Sequence, residues 1–404
     1  MPLLRLSRMT PRPEAPSPLS RRGPRPLMLH LGLAWMKSMH LTAESLNWSD
    51  VWPSFWPSVT NPDNGATSRP FEDILQQDKA LIAGVAAYRQ SDYTRSLQDP
   101  PTLWAEGDTR LLDYGGHGPA VLFVPSLVNR AYILDLTQDA SMLRWLAGQG
   151  VHPYLLDWGW PGEVERHFSL TDYIAGRLER ALAALKGPVV LAGYCMGGLL
   201  ALAAALRAQS TTRAVSALAL LATPWDFHAD NPKTARMVAD IMPFMEGTLQ
   251  FSNTLPIDVL NTFFAMVDPY GVGEKYRNFA GQDKTGVRAR RFVAMEDWLA
   301  DGVPLVAPVA RETLSGWYGA NSTARGQWRV AGLQVDPAQL QIPCFCAIPA
   351  RDRLVPNVSA KALARLLSNV KMIEPLAGHI GMVAGTHAES SLWHPFREWV
   401  LGLS

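Results

Sequence analysis

The segment Val189-Val190-Leu191-Ala192-Gly193-Tyr194-Cys195-Met196-Gly197-Gly198 sets a cysteine between glycines two before and two after it. An apolar run precedes it and the helix-prone Leu199–Arg207 follows. A buried strand turning through Gly-x-Cys-x-Gly straight into a helix has the form of a nucleophile elbow, with sulfur in place of the usual hydroxyl. So tight a turn strains the backbone at the nucleophile and brings its neighbours too close for a Cβ, which is what the glycines permit. The sulfur then sits at the C-terminal edge of a sheet beside a helix N-terminus, whose partial positive charge favours thiolate. The competing reading, a structural cysteine in an ordinary strand-to-helix turn, leaves both glycines unexplained.

A nucleophilic thiol needs a base, and the base needs an acid to orient it. Asp352 lies in Ala350–Pro356, after the expected strand Cys344–Pro349. His379 lies in Leu376–Gly381, after the expected strand Val370–Pro375. Acid and then histidine, on loops at the ends of the last two strands, is the order found in α/β-hydrolase folds. A turn or helix-capping role competes for Asp352, and a satisfied loop histidine competes for His379. His387 and His394 lie in or before the terminal helix, and His152 and His167 precede the elbow, so these four are weaker bases. The oxyanion of an acyl-transfer intermediate would be held by the backbone N–H of Met196 and by one from the loop Ser126-Leu127-Val128-Asn129-Arg130, with Leu127 the expected donor and Val128 the alternative. Cys344 and Cys346 read as core residues on one face of a strand, since no clustered histidine completes a zinc site.

The elements that would position these groups form an α/β fold. After Pro100, short apolar runs alternate with helical stretches, the signature of a mostly parallel sheet with crossover helices on both faces. Strands are expected at Ala120–Pro125, His152–Asp157, Val189–Ala192, Leu218–Ala222, Cys344–Pro349 and Val370–Pro375. Helices are expected near Ser141–Gly148, Asp172–Leu185, Met196–Arg207, Val358–Leu367 and Leu392–Leu401. The aromatic-rich stretch of about residues 224–340 breaks the alternation and reads as a cap inserted over one end of the sheet. Upstream, residues 27–110 are expected to form a helical and Trp-rich segment, with a helix near Phe71–Tyr88 and with Trp48, Trp52 and Trp56 either docking on the main domain or forming a surface for a partner or a hydrophobic ligand. Met1–Pro26, with seven prolines and six arginines, is expected to be disordered. The catalytic domain is expected over residues 111–404.

Bulk composition sets the outer bounds. The 404 residues hold 37 Lys+Arg against 36 Asp+Glu, a formal charge of +1 that leaves no basic surplus for nucleic acid. Three cysteines cannot make a disulfide framework, so a reducing compartment is the default. The apolar run Leu27–Met36 is too short for a transmembrane segment, and Arg21-Arg22 ahead of it lacks the cleavage site of an export signal.

With these residues in view, the chain resembles the polyhydroxyalkanoate synthases, α/β-hydrolase-fold enzymes that polymerise 3-hydroxyacyl-CoA on a catalytic cysteine. Four passages carry the likeness: Val124–Leu136; Arg144-Trp145-Leu146 with Leu156–Pro161; Gly193–Gly198; and Asp352–Pro356 with Gly378-His379-Ile380. The resemblance implies a Cys195–His379–Asp352 triad, an acyl-Cys intermediate and no cofactor beyond the CoA thioester substrate. It implies as partners the growing polyester chain or a granule surface, and a homodimer or a second synthase subunit, with a cytoplasmic, granule-associated location. Asn129-Arg130 and Asp157-Trp158 read as fixing the loops around the elbow, with contact between Asp157 and the site as the alternative. One departure stands out: Arg353 follows the acid where the family commonly has a histidine. Water as acceptor, which would make the chain a thioesterase or polyester hydrolase, is the rival enzymatic reading; a non-catalytic granule scaffold is the other. Met1–His40 carries a net +6 and the remainder −5, so CoA phosphates would need local Arg or Lys at the cleft mouth.

Overall fold

The computed structural model describes residues 21–45, 71–211 and 215–403. The chain divides into two compact units, Met1–Ser96 with Gly273–Asp297, and Leu97–Val272 with Trp298–Ser404.

The smaller unit packs helices α1 (Leu27–Ser45) and α2 (Phe71–Arg89) with the residues it takes from helices Gly271–Ala280 and Val287–Ala300. Gly84 on α2 comes so close to Tyr276 that a Cβ would lie 1.9 Å from its carbonyl oxygen, so these helices meet backbone to backbone. The Tyr88 and Tyr276 rings meet edge to face at 5.6 Å, and Phe279 stacks on Phe292 at 4.2 Å. Asp297 accepts from Tyr88 Oη at 2.8 Å and from Arg21 Nε at 2.9 Å. Burial raises the pKa of its carboxyl group, against the pull of Arg21. Residues 21–26, at the end of the expected tail, are among the described residues. Arg21 is buried because a carboxylate and the carbonyls of Ser91 and Tyr93 satisfy its guanidinium. Residues 1–20 of that tail, and Trp48, Trp52 and Trp56, lie outside the described residues. Among the described residues no helix is long and apolar enough to cross a membrane.

The larger unit is built on eight strands: β1 (Thr102–Glu106), β2 (Thr109–Asp113), β3 (Ala120–Val124), β4 (His152–Asp157), β5 (Val189–Tyr194), β6 (Val215–Leu221), β7 (Cys344–Ala347) and β8 (Val370–Ile373). Their spatial order is β1-β2-β4-β3-β5-β6-β7-β8. From β4 to β8 every pair is parallel, and only the β1–β2 hairpin and its junction with β4 are antiparallel. β3, β5 and β7 are almost wholly buried, which is why they read as unbroken apolar runs. The hairpin was not expected from the sequence: β1 is a largely exposed edge strand with no apolar period. Because that hairpin pairs into the sheet, the unit begins at Leu97 and not near residue 111.

Helix α3 (Met142–Ala147) lies in the β3–β4 crossover, capped by Ser141. Helix α4 (Met196–Thr211) leaves β5 directly and is buried on all sides from Leu199 to Ala205, between the sheet and the residues above it. Its alanines admit that close approach. The long excursion between β6 and β7 supplies helix α5 (Ile257–Val267), a two-stranded pair of Thr254–Leu255 with Leu305–Val306, and the helical run Ala307–Gly319. Residues 273–297 of this excursion group with the smaller unit, a division with no counterpart in the sequence pattern. Helices α6 (Asn357–Ala364) and α7 (His394–Leu401) complete the layers, and Phe396 of α7 packs on Phe345 of β7 at 5.7 Å. All parallel strands end at one sheet edge, so the loops after β3, β5, β7 and β8 converge there.

Candidate active site

The turn after β5 has the strain its sequence implies. Cys195 has φ 55°, a left-handed conformation that non-glycine residues rarely adopt. It is held there by its own N–H donating to Leu221 O at 2.8 Å and its carbonyl accepting from Gly198 N at 3.0 Å. The glycines have distinct neighbours. A Cβ on Gly193 would lie 2.3 Å from Gly198 Cα; one on Gly197 would lie 2.1 Å from Val124 O; and one on Gly198 would lie 1.9 Å from Thr223 Oγ1. Only Gly193 is excluded by the turn closing on itself. Gly197 and Gly198 let α4 sit against the ends of β3 and β6.

Asp352 and His379 arrive from the loops after β7 and β8. Asp352 Oδ2 accepts from His379 Nδ1 at 2.7 Å, and its Oδ1 accepts from the N–H groups of Leu354 and Val355, both at 2.9 Å. The Asp352 side chain is 0% exposed. The Cys195 sulfur lies close enough to the same imidazole to raise its pKa. Burial alone would push the His379 pKa down, but the Cys195 sulfur and the Asp352 carboxylate outweigh it and raise the pKa to about 10. His379 and Asp352 are thus joined directly, and the Cys195 sulfur acts on the same imidazole. Tyr194 anchors its far side by donating from Oη to the His379 carbonyl at 3.2 Å.

Met196 opens α4, so its N–H belongs to the first helical turn, whose amides have no intrahelical acceptor. In the loop after β3, the Val128 N–H is engaged by Ser126 Oγ at 3.3 Å, which favours Leu127 of the two expected donors. The loop is pinned on two sides. Trp158 Nε1 donates to Pro125 O at 3.0 Å, and Trp298 Nε1 donates to Arg130 O at 2.7 Å, while Val303 N donates to Val128 O at 2.9 Å. Asp157 binds Arg110 at 2.8 Å and lies 3.5 Å from Arg130, so its carboxylate is engaged within this scaffold. A second scaffold centres on the buried Asp135, which accepts from Ser141 Oγ at 2.6 Å and from Arg144 Nε at 2.7 Å. Arg130, Asp135, Arg144, Asp157 and Trp158 of these braces belong to the first two resemblance passages.

Sequence reasoning missed two phenols near the sulfur. Burial, and then the proximity of Cys195, raises the pKa of Tyr318 to about 12 and pushes that of Tyr194 well above its ordinary value. Tyr318 comes from the cap, where its ring packs on Phe227 at 4.8 Å and its carbonyl accepts from His228 Nε2 at 2.7 Å. No local motif marks it beyond its membership of the aromatic-rich stretch. Two of the four weaker histidines are engaged elsewhere: His152 with Asp113 at 2.7 Å and His394 beside Glu389 at 3.5 Å. Cys344 and Cys346 are buried in β7, where burial pushes the Cys344 thiol up to about 12.

Comparison with known proteins bears on the whole arrangement. The family model described as the alpha/beta hydrolase family matches residues 121–390. The chain is 27% identical over 335 residues to the poly(3-hydroxyalkanoate) polymerase subunit PhaC of Haloferax mediterranei, covering 80% of this chain and 68% of that one. It is also 27% identical over 289 residues to the subunit of the same name from Allochromatium vinosum, covering 69% of this chain and 80% of that one. Among solved structures, the monoacylglycerol lipase of Paleococcus ferrophilus superposes with a TM-score of 0.50 at 14% identity, covering 74% of this chain and all of the lipase, a likeness of fold.

Proposed function

Since the chain belongs to the alpha/beta hydrolase family, we propose that it is an acyltransferase polymerising (R)-3-hydroxyacyl-CoA thioesters through a covalent acyl-Cys195 intermediate. The single observation that carries this reading is the linked set of Cys195, on a left-handed elbow, with His379 and the buried Asp352. The relatives named as poly(3-hydroxyalkanoate) polymerase subunits support a 3-hydroxyacyl unit as the group that is polymerised.

In the first half-reaction His379 takes the proton of Cys195, and the resulting thiolate adds to the thioester carbon. The oxyanion is held by the N–H groups of Met196 and Leu127 until the carbon–sulfur bond to CoA breaks, and the departing thiolate takes the imidazolium proton. Acylation removes the part of the rise in the His379 pKa that comes from the sulfur, and burial then opposes Asp352 alone, so the pKa falls and the group that began as an acid is better placed to act as a base. In the second half-reaction His379 takes the proton of the 3-hydroxyl of an incoming acyl-CoA. The alkoxide attacks the acyl-Cys carbonyl and expels the Cys195 thiolate. The chain, longer by one unit and now on CoA, returns to Cys195 by the first half-reaction. Asp352 keeps the imidazole in the tautomer that faces the sulfur with Nε2. One thioester is exchanged for another in each loading step, so the acyl group stays reactive toward the next hydroxyl. Every step uses only the substrate and the chain's own groups.

The test is product analysis with (R)-3-hydroxybutyryl-CoA. Polyester accumulating as CoA is released supports the reading. CoA release with free acid as the only product would instead make water the acceptor and the chain a hydrolase. Release undiminished in Cys195→Ala would overturn the assignment of the nucleophile.

A further inference from the structure

Arg353 has no part in the chemistry above, yet it is covalently next to the acid of the triad. The Asp352 side chain is fully buried, whereas both arginines flanking it, Arg351 and Arg353, are exposed, with 72% of the Arg353 side chain open to solvent. The loop between β7 and α6 therefore turns its acid inward and two cations outward at the rim of the same site. Among the described residues Arg353 pairs with Asp268 at the end of α5, with Nη1 to Oδ2 at 2.5 Å. Asp268 is itself partly exposed, and its other oxygen accepts from Gly271 N at 3.1 Å. Asp268 belongs to the excursion between β6 and β7, so this ion pair ties the cap to the acid loop beside the cleft.

We propose that Arg353 is a binding residue for the phosphate groups of the CoA portion of the substrate, and that Asp268 is an internal anion which those phosphates displace. This rests on the proposed acyl-CoA chemistry. An extended pantetheine arm carries the phosphates clear of the thioester, so their contacts belong at the rim and not beside the sulfur. The larger part of the chain carries net negative charge, so phosphate binding there needs a local cation. A guanidinium offers paired donors that match phosphate oxygens. Its exposure limits the gain, because an exposed ion pair is screened by solvent and salt.

The test is equilibrium binding of CoA and of pantetheine, which lacks the phosphates, by calorimetry in reducing buffer, with the wild type, Arg353→Ala and Asp268→Asn. The ratio of the pantetheine Kd to the CoA Kd should fall about fivefold in Arg353→Ala, as expected for an exposed charge pair. It should rise in Asp268→Asn, where the competing carboxylate is gone, and the difference between proteins should shrink in 0.5 M salt, a Debye length of roughly 4 Å. The Asn variant keeps the acceptor for Gly271 N, and Arg353 is largely solvent-exposed, so both variants should fold. An unchanged ratio in Arg353→Ala overturns the proposal even if polyester is made. A fallen ratio in a chain that makes no polyester leaves the phosphate site standing and removes the proposed reaction.

Discussion

Replacing Asp352 by asparagine exchanges one carboxylate oxygen for an NH2 group and so reverses the hydrogen bond to His379. In the native loop Oδ1 serves the N–H groups of Leu354 and Val355, both at 2.9 Å, and Oδ2 serves His379 Nδ1 at 2.7 Å. An asparagine can keep its carbonyl oxygen on the two loop amides. Its NH2 then faces Nδ1, which must become an acceptor, and the imidazole proton moves to Nε2, where it points at the sulfur. A ring in that tautomer cannot take the proton of Cys195 or of a 3-hydroxyl. The expected loss in CoA release is roughly 10⁴-fold, or about 5 kcal/mol of barrier. Asp352→Ala should lose as much activity and also strip both loop amides of their acceptor, at a cost of about 2–4 kcal/mol. The pair separates catalysis from folding: thermal melts should put the Asn variant within about 2 °C of wild type and the Ala variant lower by roughly 5 °C or more. CoA release is followed with a thiol reagent under single-turnover conditions. Asp352→Asn within tenfold of the wild-type rate would refute tautomer control. An Asn variant that melts as low as the Ala variant would reassign the lost activity to a damaged loop.

The elbow and the charge of His379 give two further expectations. Gly198→Ala should destabilise the chain by about 1–3 kcal/mol, because its Cβ meets the Thr223 side chain at 1.9 Å; Thr223→Ala in the same chain removes the two nearest atoms but leaves the residue-223 Cβ at 2.8 Å, so it should restore only part of that, whereas Gly193→Ala meets backbone and should not be rescued, as urea denaturation of the three variants would test. The His379 pKa is raised in the folded state from an ordinary 6.5 to about 10, so its proton stabilises the fold fully below pH 6.5, and that contribution is lost as pH rises through 10; the urea midpoint of the wild type should drop toward that of His379→Gln over this window, and a gap that widens with pH would contradict the ion pair.

How far the sequence reveals the site depends on how local each signal is. The elbow is legible because its strand, its two glycines and its helix are contiguous and each is demanded by the close contacts around Cys195. Asp352 and His379 are legible because each closes a short apolar strand near the chain's end. The β1–β2 hairpin is not legible: an exposed edge strand lacks the apolar period that marks its partners. Neither is the grouping of residues 273–297 with α1 and α2, which depends on contacts more than a hundred residues apart, such as the close approach of Gly84 to Tyr276. Tyr318 and Asp268 lie in the cap, where helices follow no β-α rhythm, so nothing local distinguishes the residue near the sulfur or the partner of Arg353 from their neighbours. The resemblance passages around Asp135, Arg144 and Asp157 are highly specific in sequence, yet they form buried hydrogen-bonded braces and contribute no reacting group.

The most direct measurement is the intact mass of the chain after brief exposure to butyryl-CoA, which loads like the substrate and lacks the 3-hydroxyl needed for elongation. One butyryl group should be added, mapped by peptide digestion to Cys195, and should be absent from Cys195→Ala. An unmodified chain that nevertheless releases CoA, or an acyl group mapped to any other residue, would contradict the acyl-Cys195 intermediate.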